Sequence, residues 1–368
     1  MTAATKLPKW AEFGLLPLLN LTAALLLSGA IVRMIGESPL EALKLMVQGA
    51  FGSQDSIGYT LFYATDFVFT GLAVAVAFHA GLFNIGGEGQ AYIGGLGVGL
   101  VCLAIGSWSP WIVVPLAIMA GCVFGAAWAF VPGWLQARRG SHIVITTIMA
   151  NFIASALMTY LLVNVLIKPG QQSPESREFG HGAVMPGVHE VLAHFGIKFA
   201  ASPFNMASLL ALVACLLVWV FIWRTRWGYA LRVAGQNPQA AVYAGISPER
   251  TIIVAMLISG GLAGCLGVNE LMGSEHRMLL DFPGGAGFVG IAVALMGRNH
   301  PIGILAASIL FGALYQGGSQ LAFDMPHVNR DMVILIQGLV ILFCGALENI
   351  FRTPLSALFT KKRKARPV

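Results

Sequence analysis

The sequence predicts an all-α polytopic membrane protein, and three observations carry that reading. Only 10% of the 368 residues are charged and 57% are apolar, against roughly 25% and 45–50% in soluble domains. Mean hydropathy is +0.77. Apolar runs recur along the whole chain, each near the roughly 20 residues that a helix needs to cross a bilayer, so the length accommodates about ten spans with moderate loops. No soluble catalytic domain fits beside them, and residues 1–368 read as a single transmembrane domain. The net charge of +6 does not point to nucleic acid, because the basic residues flank apolar runs, where they set membrane orientation.

The first run, Phe13–Val32 after Lys6 and Lys9, exceeds the roughly 7–15 residues of a signal-peptide core and reads as a retained span. Ser38 followed by Glu41 has capping-box spacing, which starts a short amphipathic helix at the interface. The second run, Ile57–His79, carries Asp66 and ends at Gly81–Gln90, read Gly-Leu-Phe-Asn-Ile-Gly-Gly-Glu-Gly-Gln. A carboxylate or loosened backbone inside lipid is costly unless protein or water surrounds it. Asn84, Glu88, Gln90 and Asp66 are therefore candidates for a path through the membrane, with Gly86 and Gly87 letting the helix open or a neighbour approach. A tight helix contact or a short turn is the plainer reading of the same stretch, and the residues alone leave both open.

Spans three and four are Ala91–Ile105 and Pro110–Val131, followed by a polar turn, Pro132–His142, with Arg138 and Arg139. Span five, Ile143–Ile167, holds Thr146, Thr147, Asn151 and Asn164. The segment 168–203 reads as an exposed external loop. Its histidines, His181, His189 and His194, are spaced unlike any standard metal-ligand set, so no metal is expected. Span six, Asn205–Trp223, leads into the basic segment 224–250. Within that segment Asn237 suits a helix cap, Pro238 the first helical position and Gly245 the helix end. A short small-residue helix there fits either protein docking or a plain connector. Span seven, Thr251–Met272, precedes a second glycine-rich break, Asp281–Gly290, and a short eighth stretch ending near Gly297. Spans nine and ten are Pro301–Phe323 and a run ending near Ile350, before a basic tail, 352–368. Glu270 and Glu348 are expected at span ends.

With both termini in the cytoplasm, the inside collects Lys6, Lys9, Arg138, Arg139, Arg224, Arg226, Arg232, Arg250, Arg298, Arg352 and the five basic residues of the tail, a majority of the 22. The positive-inside rule then gives an N-in, C-in topology with ten crossings, an external 168–203 and a cytoplasmic 224–250. Glycine-rich breaks follow span two and span seven, an offset of five spans that inverts the topology. Interrupted segments at matching places in two inverted halves point to a transporter site.

The chain has no GxxxxGK[ST], HExxH or GxSxG, so catalytic residues are not expected and the chain does not hydrolyse ATP itself. A GxGxxG at Gly285–Gly290 lies between apolar runs with no βαβ unit around it. The five cysteines are single residues within apolar runs, without metal or disulfide spacing, and read as packing residues. Asp66 and Glu88 are the carboxylates that an ion-coupled carrier would use. Such a carrier is the rival class to a permease driven by another protein.

At Gly81–Gln90 and Asn237–Ile246 the sequence resembles the membrane permease subunits of bacterial ATP-binding-cassette importers for branched-chain amino acids, simple sugars and nucleosides. Gly-Leu-Phe-Asn-Ile-Gly followed by Glu-Gly-Gln is similar to the nucleoside branch, whose binding proteins are basic membrane lipoproteins. Asn237, Pro238, Ala240, Ala241 and Gly245 match that family's coupling segment. The resemblance covers nearly the whole chain. It implies a bacterial cytoplasmic-membrane location and three partners: an ATPase subunit that binds ATP and Mg, a second permease subunit, related or identical, and an external substrate-binding protein. No cofactor is implied for this chain. Transport of nucleosides is the leading expectation, with a simple sugar or another small nutrient as the alternative.

Overall fold

A computed structural model of the chain describes residues 8, 11–325, 327–328, 330–343 and 350–356. Lys6, Lys9 and the basic residues of the tail beyond Arg352, used in the topology argument, and Glu348, expected at a span end, lie outside the described residues. All regular elements among the described residues are helical, accompanied by isolated bridges between Ile167 and Ser176 and between Gly187 and Asn205. The chain divides into two compact units, one of residues 53–313 and one built from its two ends, through 52 and from 314 onward.

The terminal unit begins with α1 (Leu16–Met34) and α2 (Pro39–Phe51), a pair of helices bent by 119°. Ser38 Oγ accepts the Glu41 amide at 3.4 Å and Pro39 occupies the first turn, so the break is written in the capping residues. The expected short helix forms here, and it buries Ala42, Met46, Gly49 and Ala50. Gly49 lies against Gln320, and a Cβ at Gly317 would meet the backbone of Met46.

The larger unit contains α3 (Gln54–His79), α4 (Gly87–Ile105), α5 (Pro110–Arg139), α6 (Ile143–Asn164), α7 (Val188–His194), α8 (Ala207–Arg224), α9 (Arg226–Gln236), α10 (Pro238–Tyr243), α11 (Pro248–Gly264) and α12 (Ala286–Met296). The helix α13 (Pro301–Asp324) contributes to both units, and α14 (Arg330–Ile341) belongs to the terminal one. Among the described residues seven helices are long and apolar enough to cross a membrane, or eight with the bent pair counted as one. Of the ten expected spans, the eighth is the 11-residue α12, shorter than the roughly 20 residues that a crossing needs. The tenth is described as a helix only through Ile341, since residues 344–349 lie outside the description.

The most enclosed helix is α3, with 83% of its apolar window buried, whereas α5, α6 and α8 bury 22–28% and turn most of their surface outward. Between them α4, α5 and α11 meet through glycines. Gly94 lies on the backbone of Gly264; a Cβ at Gly121 would sit 3.0 Å from the Gly264 carbonyl, and one at Gly125 3.1 Å from the Gly260 carbonyl carbon. Lipid is as apolar as leucine, so close van der Waals approach of small residues is what joins such helices.

Two expectations need correction, the turn at 132–142 and the bounds of span seven. The polar turn expected over Pro132–His142 is shorter, because α5 continues through Pro115 and Pro132 to Arg139 and is stopped by Gly140 at φ 66°. Proline is tolerated inside an apolar helix when neighbours satisfy the freed backbone. The segment 168–203 is pinned down at several points. The Ser176, Phe179 and Met185 amides donate to the carbonyls of Met278, His276 and Met272 at 2.8–3.0 Å. Span seven is longer than expected, running Pro248–Glu275 with a π-helical end, Val268–Glu275.

Leucine at Gly264 would overpack the α4–α5–α11 contact, with an expected loss on the order of 3 kcal/mol. The check is thermal unfolding in detergent. Gly338→Leu, at an open position with no atom within 4 Å, is expected to leave the melting temperature unchanged.

Candidate functional site

The break between α3 and α4 is built by side chains that replace missing helical partners. The helix α3 ends in a glycine cap: Gly81 has φ 73°, and the Leu82 amide donates to the Ala77 carbonyl at 3.0 Å. The chain then extends to Gly86, where Asn84 is the organising residue. Its Oδ1 accepts the Gly86 amide at 2.8 Å and a Gln90 Nε2 hydrogen at 3.2 Å, and its Nδ2 donates to Gln90 Oε1 and Ser259 Oγ, both at 2.9 Å. Ser259 Oγ in turn donates to the Ala73 carbonyl at 2.6 Å. Asn84, Gln90 and Ser259 are all buried, so every polar group here depends on a partner.

A second amide clamps the break from α6. Asn151 Oδ1 accepts the Gly89 amide and its Nδ2 donates to the Ile85 carbonyl, each at 2.9 Å. These bonds cover an orphan donor at the start of α4 and an orphan carbonyl just before it.

The two glycine-rich breaks meet. Glu88 Oε1 accepts the Gly285 amide at 2.9 Å and its Oε2 accepts the Gly287 amide at 2.8 Å, so a carboxylate on the first turn of α4 caps the start of α12. A Cβ at Gly87 would lie 3.3 Å from the Gly287 carbonyl, and one at Gly287 would run into the backbone of Glu88. Gly285 has φ 85°, a left-handed conformation that a side chain resists. The Tyr92 hydroxyl, one turn on, accepts the Asp281 amide at 2.6 Å.

Asp66 belongs to a different cluster on the same helix α3. Its Oδ1 accepts Asn269 Nδ2 at 3.0 Å, and Asn269 Oδ1 accepts Asn205 Nδ2 at 3.0 Å. Glu270 lies beside Asp66. Glu270 was expected at a span end; the span continues past it to Glu275, and the π-helical turn aims its carboxyl at α3. The structure therefore brings Asn84, Gly86, Gly87, Glu88 and Gln90 together and places Asp66 in a second cluster. The sequence reading did not single out Ser259 and Asn269 and noted Asn151 only as a polar residue in a span. A serine or amide within a span was their only signal.

The coupling candidates sit on α10 as expected. Asn237 Oδ1 accepts the Ala240 amide at 3.0 Å, Pro238 is in the first turn and Gly245 has φ 72°. Ala241 is fully buried, whereas Asn237, Pro238, Ala240 and Gly245 are exposed. Beside this helix Arg138 pairs with Glu249, joining the ends of α5 and α11. No group of three metal-ligating side chains occurs among the described residues.

A bundle of apolar helices in which one broken segment caps the other defines a polytopic membrane protein of the transporter class. The family model for the branched-chain amino acid transport system / permease component matches residues 56–345, and the chain belongs to that family of membrane permeases. It is 31% identical over 98% of its length to the glucose ABC transporter permease protein TsgB13 of Haloferax volcanii, covering 94% of that protein. It is 33% identical to the guanosine ABC transporter permease protein NupP of Bacillus subtilis, over 90% of this chain and 93% of that one. It is 32% identical to the nucleoside ABC transporter permease protein NupB of Lactococcus lactis, over 89% and 90%. No solved structure matches the chain.

Replacing Glu88 by alanine strips two amides of their acceptor, and the expected destabilisation is about 3–5 kcal/mol at the charge-assisted value of each bond. Glu88→Gln keeps one acceptor oxygen and is expected to lose about half as much. Thermal unfolding of the two variants side by side checks the order.

Proposed function

We propose that the chain is the permease subunit of an ATP-driven importer of nucleosides, working by alternating access. The observation that carries the reading is similarity to guanosine and nucleoside permeases along about nine-tenths of both chains. In this reading the chain spans the bacterial cytoplasmic membrane several times with both termini inside. It is one transmembrane permease domain, with 168–203 external, 224–250 a cytoplasmic coupling loop and 352–368 a basic tail. It acts beside a second permease subunit, an ATPase subunit that binds ATP and Mg, and an external substrate-binding protein.

The ATPase docks on α10. Asn237, Pro238, Ala240 and Gly245 form the outer face of a short capped helix, with Val242 and Tyr243 61% and 94% exposed, while Ala241 anchors the helix from within. Closure of the ATPase dimer pushes this rigid element, and the broken segments respond. Asn84, Gly86, Gly87, Glu88 and Gln90 border the substrate path at the junction of α4 and α12, and Asp66 borders it further along α3. Their hydrogen bonds fix the orientation of the half-helices, so they act on the path through the backbone they hold. The glycines there permit the small rotations that switch the opening from one side to the other.

A simple sugar is the second substrate reading, favoured by the similarity to the glucose permease over 98% of the chain. An ion-coupled carrier using Asp66 and Glu88 differs in kind, because it needs no other protein.

The test is uptake in proteoliposomes containing the chain with its co-purified partners and radiolabelled guanosine or glucose. Uptake is expected to require ATP and the ATPase and to survive an ionophore that collapses ion gradients. Ala240→Arg is expected to insert normally and to lower uptake at least tenfold. Full uptake by that variant would refute docking on α10, and ATP-independent uptake sensitive to the ionophore would refute the importer reading.

A further inference from the structure

We infer that the contact between Gly235 and Gly81 is the joint through which motion of the α9–α10 element reaches the broken helix. The inference rests on the importer reading, in which α10 receives the push of the ATPase.

The route is continuous backbone. Asn237 closes α9, its amide donating to the Val233 carbonyl at 3.0 Å, and its side chain also caps α10. One residue thus serves both helices, and no spacer absorbs motion between them. The helix α9 is itself held at its start, where Thr225 Oγ1 accepts the Gly228 amide at 3.1 Å, and it buries Gly228, Leu231 and Ala234. In its last turn Gly235 lies directly on the turn that ends α3. A Cβ at Gly235 would stand 2.7 Å from both the Ala80 carbonyl carbon and the Gly81 nitrogen, and one at Gly81 would stand 2.9 Å from the Gly235 carbonyl. Each glycine is required by the other, because either side chain would force the two backbones apart.

On the far side of this joint lies the site. From Gly81 the chain reaches Asn84 within at most about 11 Å of extended backbone, and Asn84 holds the Gly86 amide, Gln90 and Ser259. The side of the joint is braced by His79, whose Nε2 lies 3.0 Å from the Asn299 carbonyl. Its ring meets Trp223 edge-on with centroids 5.3 Å apart, and Trp223 meets His300 at 5.0 Å. The brace ties the end of α3 to the end of α8 and to the turn after α12. A displacement of Gly235 therefore passes into the segment 81–86 while α3 itself stays anchored. Gly235 and Gly81 act as positioning residues, through the backbones they hold against each other.

The experiment uses the purified complex of this permease with its partners in lipid, and it has two arms. In the wild type, hydrogen exchange is compared without nucleotide and with a non-hydrolysable ATP analogue. Exchange at 81–86 is expected to shift together with exchange at 237–245. In the second arm, Gly235→Ala is expected to raise the ATP hydrolysed per nucleoside transported at least tenfold and to cut the nucleotide-driven shift at 81–86 at least threefold, with the shift at 237–245 retained. A wild type in which 237–245 responds and 81–86 stays silent would overturn the joint and leave the importer reading standing, whether or not the variant assembles. An unchanged ATP-to-nucleoside ratio in Gly235→Ala would overturn it as well. Silence at 237–245 itself would overturn docking on α10 and the joint together.

Discussion

The structure depends on the carboxylate of Glu88 receiving the Gly285 and Gly287 amides at 2.9 and 2.8 Å. An ionised group and the ragged start of a helix are each unfavourable in an apolar interior. Placed face to face they satisfy one another, because the unpaired amides carry the partial positive charge that the carboxylate lacks. The rest of the junction follows from that pairing. The two backbones must come within van der Waals distance for a glutamate to reach, and Gly87 and Gly287 provide the room. The chain before Glu88 must leave helical geometry, so Asn84 and Asn151 take over the hydrogen bonds that the helix gives up.

Around this polar junction the helices meet by shape. The contacts of α4, α5 and α11 run through Gly94, Gly121, Gly125, Gly260 and Gly264. Close packing of that kind resists continuous deformation and favours alternative discrete arrangements. A bundle that switches between two openings needs both properties: stiff helices, and a few places where backbone slides on backbone. Gly81 on Gly235 and Gly87 on Gly287 are such places, one beside the proposed coupling element and one at the broken helices.

Much of this was legible in the sequence, for definite reasons. Composition and run length give the membrane class because lipid admits only helices and closed barrels, and of these only helices need apolar runs of about 20 residues. The break at Gly81–Gln90 was legible because a glutamate among glycines contradicts the apolar run around it. The α10 helix was legible because Asn237, Pro238 and Gly245 are local signals read within one turn. The readings that failed lacked such local signals. Pro132 looks like a helix end, yet α5 runs through it, because its neighbours rather than the sequence decide whether a proline breaks a helix. Glu270 looks like a terminal residue until Asp66, 204 positions away in the chain, is found beside it. Ser259 has no mark in the sequence beyond being a serine within a span, since a single hydroxyl in an apolar helix acquires meaning only when Asn84 arrives.

The central claim is that this chain moves substrate through force supplied by other proteins. The most direct measurement is native mass spectrometry of the chain extracted gently from its own membrane, with every co-purifying subunit sequenced. The account predicts a complex containing an ATPase subunit with a GxxxxGK[ST] loop and a second permease. Recovery of this chain alone, still able to concentrate nucleosides in liposomes under an ion gradient, would contradict it.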